Sequence, residues 1–488
     1  GRSFLAPVAA TLSAVVLLSG CGTRASEEDV RAGARQSQVV SLDQASVDAL
    51  TAAAQAAQAA AGGAPVAVPG TTPGPTPPGT TGTTSGPARP GTTGATRPTP
   101  TTGTGTASQP APDTGKCTRS GTPVALGQVG TFSGLAGPIA GDGLAAMAVW
   151  VKDVNVRGGL ACHPVTIYTR DDGGDPARAA AAVKELLGRG VVAFIGNITA
   201  LSQQGFKPEI ERNCTPAIGI DFGPDWSTTP CLFPQGGGWR ESIAGLVEQA
   251  IERNHTKLGL LYCVEINTCS SIGKDIKAVA DKAGIHLVYS SPISLTATDY
   301  TAQCQNAKSA GVEELIVAME GSAMARLARS CLALNYRPLL VGAAFAVNPK
   351  QADDPKLREL GLAAINANAP WFATDQPGLR EYQAALRTYA PQIATSGVTV
   401  EMYASGKLLE VAVANIGPAA RTAPLTAPQI LAGLNKIRNE TLGGLTAPLD
   451  FTVKNRPRSS GCVYLTLLTD KGWTTPDGTR PLCPKATA

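Results

Sequence analysis

GVVAFIGNITALSQQ, Gly190 to Gln204, carries an apolar run through a Gly-Asn corner into residues that suit the first turn of a helix. A short apolar segment that ends in such a corner and leads into a helix reads as the β-to-α half of a βαβ unit. The first amides of that helix have no intrahelical acceptors, so whatever faces the corner meets free N–H groups.

The same alternation extends in both directions. Upstream, VALGQVGT (Val124–Thr131) reads as a strand. GLAAMAVWVKDVN reads as a helix, with Leu144, Met147, Ala148 and Val151 at i, i+3, i+4 and i+7. PVTIYTR is the next strand. DPARAAAAVKELLGRG then opens with Asp175 as N-cap and Pro176 in the first helical position, and closes at Gly190. Downstream, a helix over Ala200–Arg212 leads to PAIGI. A second set follows: KLGLLY, a helix over Ser271–Ala283, HLVYSSPI, a helix over Tyr300–Ala310, ELIVAM, a helix over Ser322–Leu334, and LLVGA. Helices around Leu379–Ala390 and Val398–Ile416, then LDFTV and VYLTLLTDKGW as strands, must return to these bodies. Strands separated by helices of this length imply right-handed crossovers and parallel sheets. Two such sets in about 370 residues exceed one core, so the fold class is α/β with two doubly wound parallel-sheet lobes.

Ahead of these lobes the composition changes. Residues 62–115 are rich in Pro, Gly and Thr and cannot repay chain entropy by burial, so they read as a disordered tether. Residues 21–61 form a polar, Ala-rich segment, and residues 1–20 an apolar leader too short to be a permanent span. Leu18-Ser19-Gly20-Cys21 resembles the bacterial lipobox, which implies lipidation at Cys21, attachment to the outer face of the cell membrane, and an extracytoplasmic address. Ten further cysteines suit an oxidising compartment: Cys117, Cys162, Cys214, Cys231, Cys263, Cys269, Cys304, Cys331, Cys462 and Cys483. Sequential pairing, 117–162 through 462–483, is the expectation, although spacing alone does not fix it. No C-x-x-C pair occurs and the three histidines stand apart, so neither a metal nor a cofactor is expected. A net charge of +4 without a basic run argues against nucleic acid.

GTFSGLAGPIAGDG, VNVRGGLACHPVTIYTRDDGGDPARAA, VVAFIGNITA, LNYRP and LGGLTAPLDFTVKNRP together resemble, over nearly all of Val124 to Trp473, the solute-binding proteins of ABC importers. The likeness is to the leucine/isoleucine/valine-binding family, with its type 1 periplasmic binding fold. It implies three chain crossings between lobes, near Leu232–Gln235, Ala363–Asn368 and Leu442–Thr446. Lobe 1 then takes residues 124–231 and 368–441, and lobe 2 residues 234–363 and 446–484. It further implies a monomer whose partners are a small ligand and an ABC permease, with no catalysis. A ligand sensor or docking lipoprotein of the same fold, acting on a signalling partner, is the alternative.

The resemblance places the corner at Asn197, Thr199 and Ala200 in the cleft. Ile139 stands where the family has a tyrosine. Ala200 and Gly223 stand where amino-acid binders present hydroxyls, which turns the expected ligand away from simple branched-chain amino acids toward a small organic molecule that is amino-acid-like, an amide, or an aromatic or carboxylate compound. Ser133 and Asp221 would offer hydrogen bonds, Glu265 and Glu320 charge, and Phe132, Phe222, Phe345 and Trp371 apolar walls. Each has a plainer reading: Phe222 and Phe345 as core, Asp221 as a turn cap, Glu265 and Glu320 as rim charges.

Overall fold

The structure is a computed structural model that describes residues 40–41, 117, 120–134, 137–220, 223–452 and 459–484. The leader with Cys21, nearly all of the Ala-rich segment, the Pro/Gly/Thr-rich tract, and Asp221 and Phe222 lie outside the described residues.

The first sheet has the order β1-β3-β2-β4-β5-β6. Its members are β1 (Val40–Ser41), β2 (Val124–Gly130), β3 (Val165–Asp171), β4 (Ala193–Asn197), β5 (Ala217–Gly219) and β6 (Leu232–Pro234). All pairings are parallel except that of β1 with β3. Nearly every residue of β2 and β4 is buried, as expected of strands covered on both faces. The longer helices here are α1 (Gly137–Val156), α2 (Pro176–Gly188) and α3 (Gln203–Asn213). α2 starts where its sequence says: the Asp175 carboxylate accepts from the amides of Ala177 and Arg178, and Pro176 follows it. α3 lies so close to α2 that a Cβ on Gly205 would sit 1.7 Å from the Pro176 carbonyl oxygen, so only glycine fits there. That contact fixes the start of α3.

The second sheet has the order β13-β12-β11-β10-β9-β7-β8. β7 (Lys257–Cys263), β8 (His286–Ile293), β9 (Glu314–Ala318), β10 (Leu339–Ala343) and β11 (Leu362–Asn366) run parallel. β12 (Tyr464–Thr469) and β13 (Gly472–Thr474) add an antiparallel edge, so this sheet is mixed rather than wholly parallel. Its principal helices are α4 (Trp239–Glu252), α5 (Asn267–Lys282), α6 (Thr301–Ser309) and α7 (Gly321–Ala333). The chain then returns to the first lobe, where α8 (Pro377–Tyr389) and α9 (Gly397–Ala414) pack on α1. The described part of LDFTV, Leu449–Thr452, does not form a strand. Pro448 lacks an amide to donate, and the Asp450 carboxylate takes the Thr452 amide and hydroxyl, giving a local turn that competes with a ladder. Only a single bridge, Glu440 with Leu449, remains.

The disulfides pair sequentially: Cys117–Cys162, Cys214–Cys231, Cys263–Cys269, Cys304–Cys331 and Cys462–Cys483.

Three crossings join the lobes, and one side chain touches all of them. Asn368 is fully buried, and its Nδ2 donates to the carbonyls of Gln235 (3.2 Å) and Leu445 (3.1 Å). The backbone adds Ala369 N–H to the Leu445 carbonyl and Gly237 N–H to the Ala367 carbonyl. A Cβ on Gly236 would lie 2.4 Å from the Ala367 carbonyl oxygen, so the crossings approach more closely than a side chain allows. Asn368→Ala strands the buried Gln235 carbonyl, removes one of the two donors to the Leu445 carbonyl, and is expected to destabilise the fold by about 1–3 kcal/mol. Urea denaturation checks this, and an unchanged midpoint would remove Asn368 from the joint.

Candidate functional site

Each sheet reverses its strand order around its first long parallel strand. β2 lies between β3 and β4, and β7 between β8 and β9. At such a point successive connections leave on opposite faces and open a crevice beyond the carboxyl ends of the strands. Residues just past those ends face one common cavity of about 230 Å³. They are Thr131 after β2, Ala200 and Leu201 after β4, Ile266 after β7, and Met319 and Glu320 after β9.

The cavity walls are chiefly apolar. Ile139, Ile220 and Val398 contribute from the first lobe. On the other side the space continues past the cleft into the layer between the second sheet and helices α4 and α5, where Ile243, Leu246, Ile272, Ile316 and Ile365 line it. A dry cavity of about 150 Å³ suffices for benzene, so this one holds a larger apolar body.

Its polar groups are few, because most of those nearby are committed elsewhere. Asp172 is fully buried and accepts from the Thr131 hydroxyl (2.8 Å), the Ser202 hydroxyl (2.6 Å) and the Gly174 amide (2.7 Å). Burial pushes its carboxyl up, against the pull of those three donors. Ser202, the N-cap of α3, thus spends its hydroxyl on Asp172 and caps nothing. Ala200 and Leu201, whose amides have no acceptor among the described residues, border the cavity just ahead of the positive end of α3.

Glu401 on α9 is a further unspent group. It lines the cavity at 2 % exposure, and its Oε2 has no hydrogen-bond partner. Burial without compensation pushes its carboxyl up to about 8, so it is mainly protonated at neutral pH and can donate. Glu320 also faces the cavity, but its carboxylate caps α7 by accepting from the amides of Ser322 and Ala323.

Of the residues singled out from sequence, Ile139, Ala200, Glu320 and Phe345 line the cavity. Asn197 does not: its side chain accepts from the Val129 amide and donates to the Ile218 carbonyl, tying three strands together. The Thr199 hydroxyl is spent on Gln203, and Phe132 is core. Ser133 is exposed, and neither it nor Gly223 borders the cavity. Trp371 packs edge-on with Phe372 and Trp473, apart from the cavity. Glu265 accepts from the Ser294 hydroxyl and the Leu295 amide, which orders the loop after β8. Asp221 and Phe222 are outside the described residues.

Sequence reasoning missed Glu401 and the whole of α4. Both carried a signal. Ile243, Leu246, Val247 and Ala250 are a clean i, i+3, i+4, i+7 stripe, and Glu401 is the lone charge in VTVEMYA, an otherwise uncharged and mostly apolar pair of turns.

A family model described as periplasmic binding protein matches residues 123–472. The chain belongs to that family. Among solved structures, the binding protein resembles a branched-chain amino acid ABC transporter protein from Thermus thermophilus with bound valine. The TM-score is 0.68 at 16% identity, over 75% of this chain and 98% of that one. It also resembles a fatty acid ABC transporter substrate-binding protein from Thermomonospora curvata, with TM-score 0.66 at 19% identity over 75% and 93% of the two chains. A third likeness is to a solute-binding protein from R. palustris in complex with benzoate, with TM-score 0.61 at 14% identity over 75% and 98%. At these identities the likeness is one of fold. No curated protein matches the chain in sequence. Among the described residues of this binding protein, no helix is long and apolar enough to cross a membrane.

The raised Glu401 pKa has a defined consequence for stability. In the unfolded chain the group ionises around 4.5, in the fold around 8. Its favourable contribution is therefore fully present below pH 4.5 and is lost as pH rises toward 8. At ~1.4 kcal/mol per pH unit, the loss reaches about 3 kcal/mol by neutral pH. Glu401→Gln removes the titration, so the variant should gain on the parent by roughly that amount across this window in urea midpoints. Parallel curves would show that Glu401 ionises normally.

Proposed function

We propose that this chain is a lipid-anchored extracytoplasmic solute-binding protein that encloses a small organic molecule between its lobes. It then hands that molecule to an ABC importer and performs no chemistry on it. The observation that carries this reading is one cavity bordered by the switch points of both lobes alike, with a three-stranded joint linking them. A ligand touching both walls stabilises the closed arrangement by its differential affinity for it, and a permease can then read closure itself. Attachment through Cys21 would keep the closed complex at the membrane surface.

The character of the walls supports organic acids, amides or aromatic compounds over a free amino acid. Ala200 offers an amide but no hydroxyl, and the α-ammonium of an amino acid would find Glu320 already engaged with its own helix. The fold neighbours with bound benzoate, bound valine and a fatty-acid designation show that this architecture accepts varied cargo.

In a thermal-shift screen, carboxylates, amides and aromatic acids should raise the melting temperature, and leucine should not. A ligand at 100 times its Kd adds about 2.7 kcal/mol, enough for a clear shift. Small-angle scattering on the same samples should show a smaller radius of gyration. Strong stabilisation by leucine alone would contradict this ligand class.

A further inference from the structure

The cavity is not confined to the cleft. Its lobe 1 end holds the spare polar groups: the amides of Ala200 and Leu201, and the carboxyl of Glu401 with its unpartnered Oε2. Its lobe 2 end passes among Ile243, Leu246, Ile272, Ile316 and Ile365, all less than 10 % exposed, and its polar groups there are the Ser242 hydroxyl and the Glu320 carboxylate that caps α7. One end therefore donates hydrogen bonds to an oxygen, and the other accepts hydrocarbon.

We infer that the ligand is an unbranched acyl compound whose carboxyl oxygens sit on the Ala200 and Leu201 amides and Glu401, with its alkyl tail running between the second sheet and helices α4 and α5. The inference rests on the solute-binding reading and narrows it to a class. The two ends make separate contributions. Tail burial scales with chain length, whereas the head interaction is the same for every homologue. The head sits at the start of α3, where the helix dipole favours a carboxylate, and a protonated Glu401 donates to it. An amino acid side chain would fill only the mouth and leave the inner layer empty.

The test is equilibrium binding of the intact chain, by calorimetry, to straight-chain carboxylates from butanoate to tetradecanoate. Affinity should rise about three- to fourfold with each added methylene until the inner layer is full, and then stop rising. Leu246→Trp, which fills the inner layer, should end the rise at a shorter homologue and leave butanoate unaffected. Glu401→Leu, which removes the donor, should weaken every homologue by a similar factor without changing the slope. Should Leu246→Trp fail to fold, Ile272→Phe makes the same test, and the series on the unaltered protein stands by itself. An affinity that does not vary with length overturns the inference. If compact solutes such as benzoate bind while the series stays flat, the solute-binding reading stands and only the acyl tail is lost. If neither compact solutes nor the series bind, both fail.

Discussion

The architecture depends on how three strands of chain are held where they pass between the two sheets. Asn368 donates from one amide nitrogen to two of them and belongs to the third. Each sheet is a largely parallel array with its own helices, stiff because its interior is close-packed. The joint is different in kind. Asn368 Oδ1, Gln235 Oε1 and Thr446 Oγ1 are buried there without hydrogen-bond partners. Unsatisfied acceptors cost free energy, and a cluster of them makes a junction held by few bonds rather than a saturated core. Two rigid bodies and a lightly bonded joint are what a clamp requires.

The same economy of hydrogen bonds shapes the cleft. Asp172 collects the Thr131 and Ser202 hydroxyls, Asn197 ties β2, β4 and β5, and Gln203 takes the Thr199 hydroxyl. These polar side chains build the corner and are thereby consumed. What remains on the first-lobe wall is backbone N–H at the head of α3 and the Glu401 carboxyl that found no partner. The corner is therefore a rigid frame presenting main chain, and its selectivity comes chiefly from the shape and polarity of the space in front.

Much of this was legible in the sequence. Periodicity located most strands, Asp175-Pro176 marked a helix start, and the order of the cysteines gave the disulfides. The reading failed where neighbours decide the outcome. LDFTV has strand composition, but Pro448 and the Asp450 turn prevent pairing. Asn197, Thr199 and Phe132 have the side chains of binding residues, and only the fold shows that the two polar groups have been spent and the ring has become core. Glu401 looked like an ordinary helical glutamate. What distinguishes it, burial against a cavity with no counter-charge, arises from packing between α9 and the opposite lobe. Conversely, the stripe in α4 was visible in the sequence, and passing over it hid the far wall of the cavity.

The five disulfides have a mechanical meaning. Their partners are 6 to 45 residues apart. Two lie in the first lobe and three in the second, and none spans the joint. Covalent reinforcement is thus confined to the jaws, while the pivot stays free of any crosslink. An oxidising milieu would therefore harden each lobe against unfolding and proteolysis without adding restraint to the closure proposed above, so durability and the proposed motion fall to separate parts of the molecule.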